Sequence, residues 1–109
     1  MLRDFTYIDD IINGLFSIFN KFTATDDSIN KIYNIGFGKP VILNKFIEIL
    51  EDILGKKAKK NYMPFQSGDV HKTFADIASL KSDFDYEPKI NIEAGLVNWV
   101  NWYKSYIKD

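Results

Sequence analysis

The chain has 109 residues, enough for one domain and not comfortably for two. It is 46% hydrophobic and 27% charged with a net charge of −1, which excludes a disordered tail and the long-range pull of a generic nucleic-acid binder. Cysteine is absent, so disulfides and thiolate metal sites are excluded; no apolar run reaches the ~18 residues of a membrane span, and a cytosolic chain is expected.

Residues 4–8 alternate polar and apolar side chains and read as a short extended segment or strand. Asp9 and Asp10 then stand where carboxylates complement the start of a helix dipole. Ile8, Ile11, Ile12, Leu15, Ile18, Phe19 and Phe22 recur at spacings of three and four, which predicts an amphipathic helix over 9–22 with these on its core face. A polar loop over 23–30 follows, and then a β-prone run over 31–35 that stops at Gly36-Phe37-Gly38-Lys39-Pro40. Asn44 is placed to cap a second helix carrying Phe46, Ile47, Leu50, Ile53 and Leu54, with Gly55 at its left-handed end. Residues 58–65 form a candidate strand, made an edge strand by Pro64, and residues 66–73 a loop pinned by Gly68. Asp76 is expected to cap a short helix through Ile77 and Leu80, and residues 83–89 to turn. Asn91 is expected to cap a last helix with Ile92, Leu96, Trp99, Val100, Tyr103 and Ile107 on one stripe. Four helices and two or three short strands make a mixed α+β class with a small sheet.

Most local signals have plain structural readings. Gly36-Phe37-Gly38 lacks the third small residue of a dinucleotide fingerprint, Val41 standing there, so a turn is expected. His71, the only histidine, has too few ligand partners for zinc, and no metal site is expected. Adjacent Asp9 and Asp10 point about 100° apart on a helix and cannot share a proton. The lysines at 56–60 follow a helix C-terminus, where cations are favoured and solvated. Trp99, Trp102, Tyr103 and Tyr106 read as core, with Trp102 and Tyr106 edging toward solvent or an interface. Arg3 is the only arginine among 14 basic residues, and only Arg supplies a planar bidentate fork. The loop carrying Gln66, Gly68 and Asp69 offers a carboxylate suited to vicinal hydroxyls, although its residues alone favour an ordinary turn.

Taken in order, Arg3-Asp4-Phe5-Thr6-Tyr7-Ile8-Asp9-Asp10, Tyr33-Asn34-Ile35-Gly36, Leu54-Gly55-Lys56-Lys57-Ala58 and Gln66-Ser67-Gly68-Asp69-Val70 with Thr73-Phe74-Ala75-Asp76 resemble one family. These segments are similar to the carboxy-terminal third of the nucleotide-sugar epimerases of the extended short-chain dehydrogenase/reductase family, nearest the UDP-glucuronate branch. The resemblance spans essentially the whole chain. It implies that Arg3 contacts the UDP diphosphate, that Asp69 accepts hydrogen bonds from the ribose hydroxyls, and that Thr73 lies near the sugar. Gln66 stands where UDP-glucose 4-epimerases place a second diphosphate-binding Arg, a departure that fits the glucuronate branch. In the family, NAD bound by a Rossmann half oxidises the sugar at C4 and returns the hydride to the opposite face of a 4-keto intermediate, with a Tyr followed four residues later by Lys.

None of the six tyrosines here has Lys at the fourth following position. The resemblance therefore implies a fragment with no catalytic residue, with NAD bound by the full-length parent and none by this piece, and with Met1 internal to that parent. Its expected partners are a UDP-sugar, weakly held, and the Rossmann half. Nucleic acid and membrane are not expected, whereas self-association through exposed apolar surface is. The alternatives are a piece of a UDP-glucose 4-epimerase or a nucleotide-sugar 4,6-dehydratase, or a stand-alone interaction domain descended from the fold.

Overall fold

A two-stranded antiparallel sheet starts the chain: β1 (Leu2–Arg3) pairs with β2 (Val41–Ile42), Leu2 opposite Ile42 and Arg3 opposite Val41. The computed structural model describes residues 1–21 and 31–107. Four helices complete it: α1 (Ile8–Lys21), α2 (Leu43–Leu54), α3 (Ala78–Phe84) and α4 (Ile92–Ile107), with α2 lying against α4 and α1 against α3. Phe22 of the predicted first helix and the predicted loop 23–30 lie outside the described residues.

The local signals that hold are those whose chemistry is complete within a few residues. Gly55 takes φ 68° and its N–H closes on Glu51 O, ending α2 in the left-handed conformation that suits glycine. Asn91 Oδ1 accepts the Ala94 N–H at 2.9 Å and starts α4. Asp76 acts one residue early, its carboxylate accepting the Ala78 N–H at 3.1 Å, while Ile77 is the capping residue of α3. That helix runs on through Asp83 and Phe84, beyond the predicted start of the turn, and ends at Asp85 with φ 55°.

Three expectations are corrected. Asn44 caps nothing, because β2 runs directly into α2 and the Leu43 N–H is taken by Met1 O at 3.0 Å. Residues 58–65 are exposed and form no strand; the Ala58 N–H is bonded at 2.7 Å by the buried Glu51 carboxylate instead of a neighbouring strand. Residues 31–35 have no ladder partner among the described residues. Tyr33 and Ile35 pack instead on a core of Ile77, Leu80, Phe84 and Tyr86, and Asp83 Oδ2 accepts from both Lys31 and the Tyr33 hydroxyl. Lys31 first, and then Tyr33, hold the Asp83 carboxyl below the usual carboxylate range.

The face that α1 buries is also not the predicted one. Asp10 and Gly14 point inward, while Ile8, Ile12, Leu15, Phe16 and Phe19 are exposed, Phe19 at 81%. The reason is steric and polar together. A Cβ at Gly14 would stand 3.1 Å from Ile35 Cγ2 and 3.2 Å from Tyr86 Cε1, so this face admits only glycine without adjustment. Among the described residues of the predicted stripe, Ile18 packs on the core cluster. On α4, Leu96 and Val100 are buried, whereas Trp99, Tyr103 and Ile107 are 40–43% exposed. Trp99 stacks on Tyr103 and Trp102 on Tyr106, with ring centroids 5.1 and 5.2 Å apart.

Tyr86 ties the two halves of the core. Its buried hydroxyl donates to Gly36 O at 2.8 Å. Burial first, then the Asp10 and Asp4 carboxylates, push its pKa up from 10.0 to about 12. Because the folded pKa is raised, the stability this group confers is complete below pH 10.0 and is lost as pH rises through about 12. Alkaline titration followed by tyrosinate absorbance is expected to show one tyrosine ionising near pH 12 together with loss of helix. The Tyr86→Phe variant should lack that phase.

Candidate functional site

The sequence motif from Arg3 to Asp10 is a line of latches. The Leu2 N–H donates to His71 O at 2.7 Å and Leu2 O accepts the Thr73 N–H at 3.0 Å, so residues 71–73 run parallel beside β1 on the side away from β2. The Asp4 N–H donates to Thr73 Oγ1, and the Asp4 carboxylate accepts the Gly38 N–H with both oxygens and the Ala75 N–H at 3.0 Å. Thr6 Oγ1 accepts the Phe37 N–H at 3.1 Å. Asp10, 1% exposed, accepts the Lys89 and Ile90 N–H groups, each at 3.0 Å, and so fixes the approach to α4. Asp4, Thr6 and Asp10 thus hold segments of the chain rather than a ligand. Sequence reading missed these duties; the only signal was polar residues at inward positions of an otherwise apolar run.

Arg3 differs from its neighbours. It is half-buried on β1, opposite Val41, and its guanidinium makes one hydrogen bond, Nη1 to the adjacent Leu2 O at 2.9 Å. The ion pairs among the described residues, Lys21–Asp85 and Lys31–Asp83, do not involve it. Among the described residues, no other hydrogen bond engages its five donors.

The loop with Gln66 and Asp69 leads directly into residues 71–73, which the Leu2 bonds hold parallel to β1 with Thr73 on the Arg3 side. The Asp69 N–H donates to Gln66 O at 3.1 Å, closing a turn in which Gly68 takes φ 92°. The Gln66 amide donates to Pro64 O at 3.1 Å, and the exposed Asp69 carboxylate accepts no bond from the described residues. Thr73 is committed elsewhere, its hydroxyl oxygen accepting from Asp4. His71 lays its ring on Phe65, and among the described residues no group of three or more His, Cys, Asp or Glu side chains stands together as a metal site.

A cleft of about 390 Å³ between Phe5, Tyr7, Phe46, Leu50 and Trp99 is apolar, with Phe5 stacked on Phe46 at 4.4 Å. The Gly36-Phe37-Gly38 turn does not fit a nicotinamide dinucleotide. Its Phe37 and Gly38 N–H groups are taken by Thr6 and Asp4, and the space a pyrophosphate would approach at Gly36 is filled by Ala75, 2.6 Å from a Cβ built there.

No protein-family model matches the chain. It is 45% identical over 107 residues to the UDP-glucuronate 4-epimerase of Thermodesulfobacterium geofontis, covering 97% of this chain and 31% of that protein. The chain is a homologue of the UDP-glucuronate 4-epimerases. The homology extends to Arabidopsis thaliana UDP-glucuronate 4-epimerase 5, 38% identical over 113 residues, covering 95% of this chain and 26% of the plant protein.

Among solved structures, the Bacillus cereus UDP-glucuronic acid 4-epimerase with UDP-glucuronic acid and NAD superposes with a TM-score of 0.81 at 31% identity, covering 94% of this chain and 32% of that one. The Thermotoga maritima UDP-glucose 4-epimerase with UDP-glucose gives a TM-score of 0.81 at 28% identity, over 95% and 32%. The chain therefore spans about a third of the length of its relatives. Its mixed α+β arrangement of four helices and a two-stranded sheet is that of the carboxy-terminal part of these epimerases. No helix of the described residues is long and apolar enough to cross a membrane.

Proposed function

We propose that residues 1–109 form one unit, the nucleotide-sugar-binding portion of an NAD-dependent UDP-glucuronate 4-epimerase, with Arg3, Gln66 and Asp69 holding the UDP moiety. The observation that carries this reading is the 45% identity to the UDP-glucuronate 4-epimerase of Thermodesulfobacterium geofontis over 97% of this chain. It is supported by the bonds from Leu2 to His71 and Thr73, which tie the stretch following the Gln66–Asp69 loop to the Arg3 strand. Arg3 supplies the fork for the diphosphate, and Asp69 the acceptor for ribose hydroxyls. Gln66 contributes a neutral amide, which fits a substrate that already bears a sugar carboxylate.

Epimerisation at C4 belongs to the full-length parent, since this chain contains no Tyr with a Lys four residues later and its 36–38 turn does not fit NAD. The test is a chimera in which this chain replaces the corresponding third of the Thermodesulfobacterium relative. Epimerisation of UDP-glucuronate by the chimera, lost on Arg3→Ala, is the expected result. Turnover of UDP-glucose in place of UDP-glucuronate would transfer the chain to the other branch, and a folded chimera inactive on both would overturn the assignment.

A second reading, an interaction domain, has its own observation. The exposed stripe of Ile8, Ile12, Leu15, Phe16 and Phe19 on α1 is a contiguous apolar face of the kind that finds a partner. Sedimentation of the purified chain at high concentration is expected to show reversible association that Phe16→Glu weakens. A strictly monomeric species would remove this reading.

A further inference from the structure

We propose that the face-to-face stack of Phe65 on His71 is a clasp that holds the 66–70 loop closed and so positions Asp69, a role that rests on the assignment of that loop to the nucleotide sugar. The two rings lie 4.0 Å apart between centroids at an interplanar angle of 14°. They stand at the two ends of the loop, so both Gln66 and Asp69 fall inside the segment they close.

The two ends are anchored very differently. At His71 the backbone is built into the sheet: its carbonyl accepts the Leu2 N–H, and Thr73 returns a bond to Leu2 O. On the Phe65 side, residues 55–65 are exposed and belong to no helix or strand beyond the end of α2. The hydrogen bond nearest this end among the described residues, from the Gln66 amide to Pro64 O, is local. The ring stack is therefore the link that transfers the anchorage of one end to the other.

Inside the loop the restraint is slight. One turn bond joins the Asp69 N–H to Gln66 O at 3.1 Å, and Gly68, at φ 92°, has nothing within 4 Å of a Cβ built on it. A solvent-exposed turn of this size with a glycine in it samples many conformations unless its ends are fixed. Closing a ring of so few residues costs little entropy, so a single aromatic pair is sufficient to bias it. The exposed Asp69 carboxylate is then held in one orientation before a ligand arrives, which saves the ordering cost on binding. Phe65 and His71 are positioning residues, acting on Asp69 through the loop.

The experiment compares amide order parameters of residues 66–70 in the chain and in its Phe65→Ala, His71→Ala, double-alanine and His71→Phe variants, with UDP titrations of each. In either single variant the loop order parameters are expected to fall toward about 0.6, with those of Leu2 and Thr73 unchanged. UDP affinity is expected to weaken about three- to tenfold, the scale of one aromatic pair. The double variant should do no more than either single one, and His71→Phe should restore both readings. Unchanged loop order, or additive losses in the double variant, would overturn the clasp. A loosened loop with unchanged UDP affinity would overturn its positioning role. Absence of UDP binding by the parent chain would defeat the functional assignment instead, with the order parameters still deciding whether the clasp exists.

Discussion

Replacing Asp10 by alanine is expected to destabilise the chain by about 3 kcal/mol or more, because the Lys89 and Ile90 N–H groups lose a buried, charged acceptor at once. A hydrogen bond to a charged group is worth about 1.5–3 kcal/mol, and here two are made by adjacent residues in one strap leading to α4. Since a whole domain of this size is stable by about 5–15 kcal/mol, the change consumes a large part of the margin. Asp10→Asn keeps one acceptor oxygen but turns an NH2 group toward the other amide, so it should recover only part of the loss. Urea denaturation of the three proteins measures this. A midpoint for Asp10→Ala equal to the parent's would show that the carboxylate is not the latch described. Asp9, exposed on the adjacent position, serves as the control and should change stability by less than ~0.5 kcal/mol.

The second large effect falls on binding rather than stability. Arg3→Ala is expected to weaken UDP binding by about 1.5–3 kcal/mol, or roughly ten- to a hundredfold, the scale of a hydrogen bond to a charged group. Folding should be nearly unchanged, since the guanidinium's recorded bond is to its own neighbour's carbonyl. Arg3→Lys retains the charge and loses the planar fork, so it should restore only a fraction of the affinity. Calorimetric titration with UDP checks both variants. Equal affinities for parent and Arg3→Ala would remove Arg3 from the site.

The contrast between Asp10 and Arg3 shows what the sequence disclosed and what it withheld. The segment from Arg3 to Asp10 is conspicuous in the sequence, but its division of labour is not, because Asp4 and Asp10 bond amides 34 to 80 residues away. Periodicity found the start of α1 to within a residue yet chose the wrong face, since an apolar stripe is read as buried and nothing local announces that Asp10 and Gly14 are the inward pair. Gly55 and Asn91 were legible because a cap is completed within one turn of helix. Residues 31–35 have strand-forming side chains but pack them on the core without an adjoining strand, a fact of tertiary context that propensity does not carry. The proposed site residues come from the family resemblance, whereas the attachment of residues 71–73 to β1 through Leu2 is a long-range pairing that no local pattern announces.

The central claim is that Arg3 and the Gln66–Asp69 loop bind the nucleotide, and the most direct measurement is an amide chemical-shift map of the isotopically labelled chain titrated with UDP. The account predicts saturable shifts gathered at residues 2–3 and 66–70, diminished in the Arg3→Ala protein. Shifts gathered instead at the apolar cleft between α2 and α4 or at the 36–38 turn, or none at millimolar UDP, would contradict it.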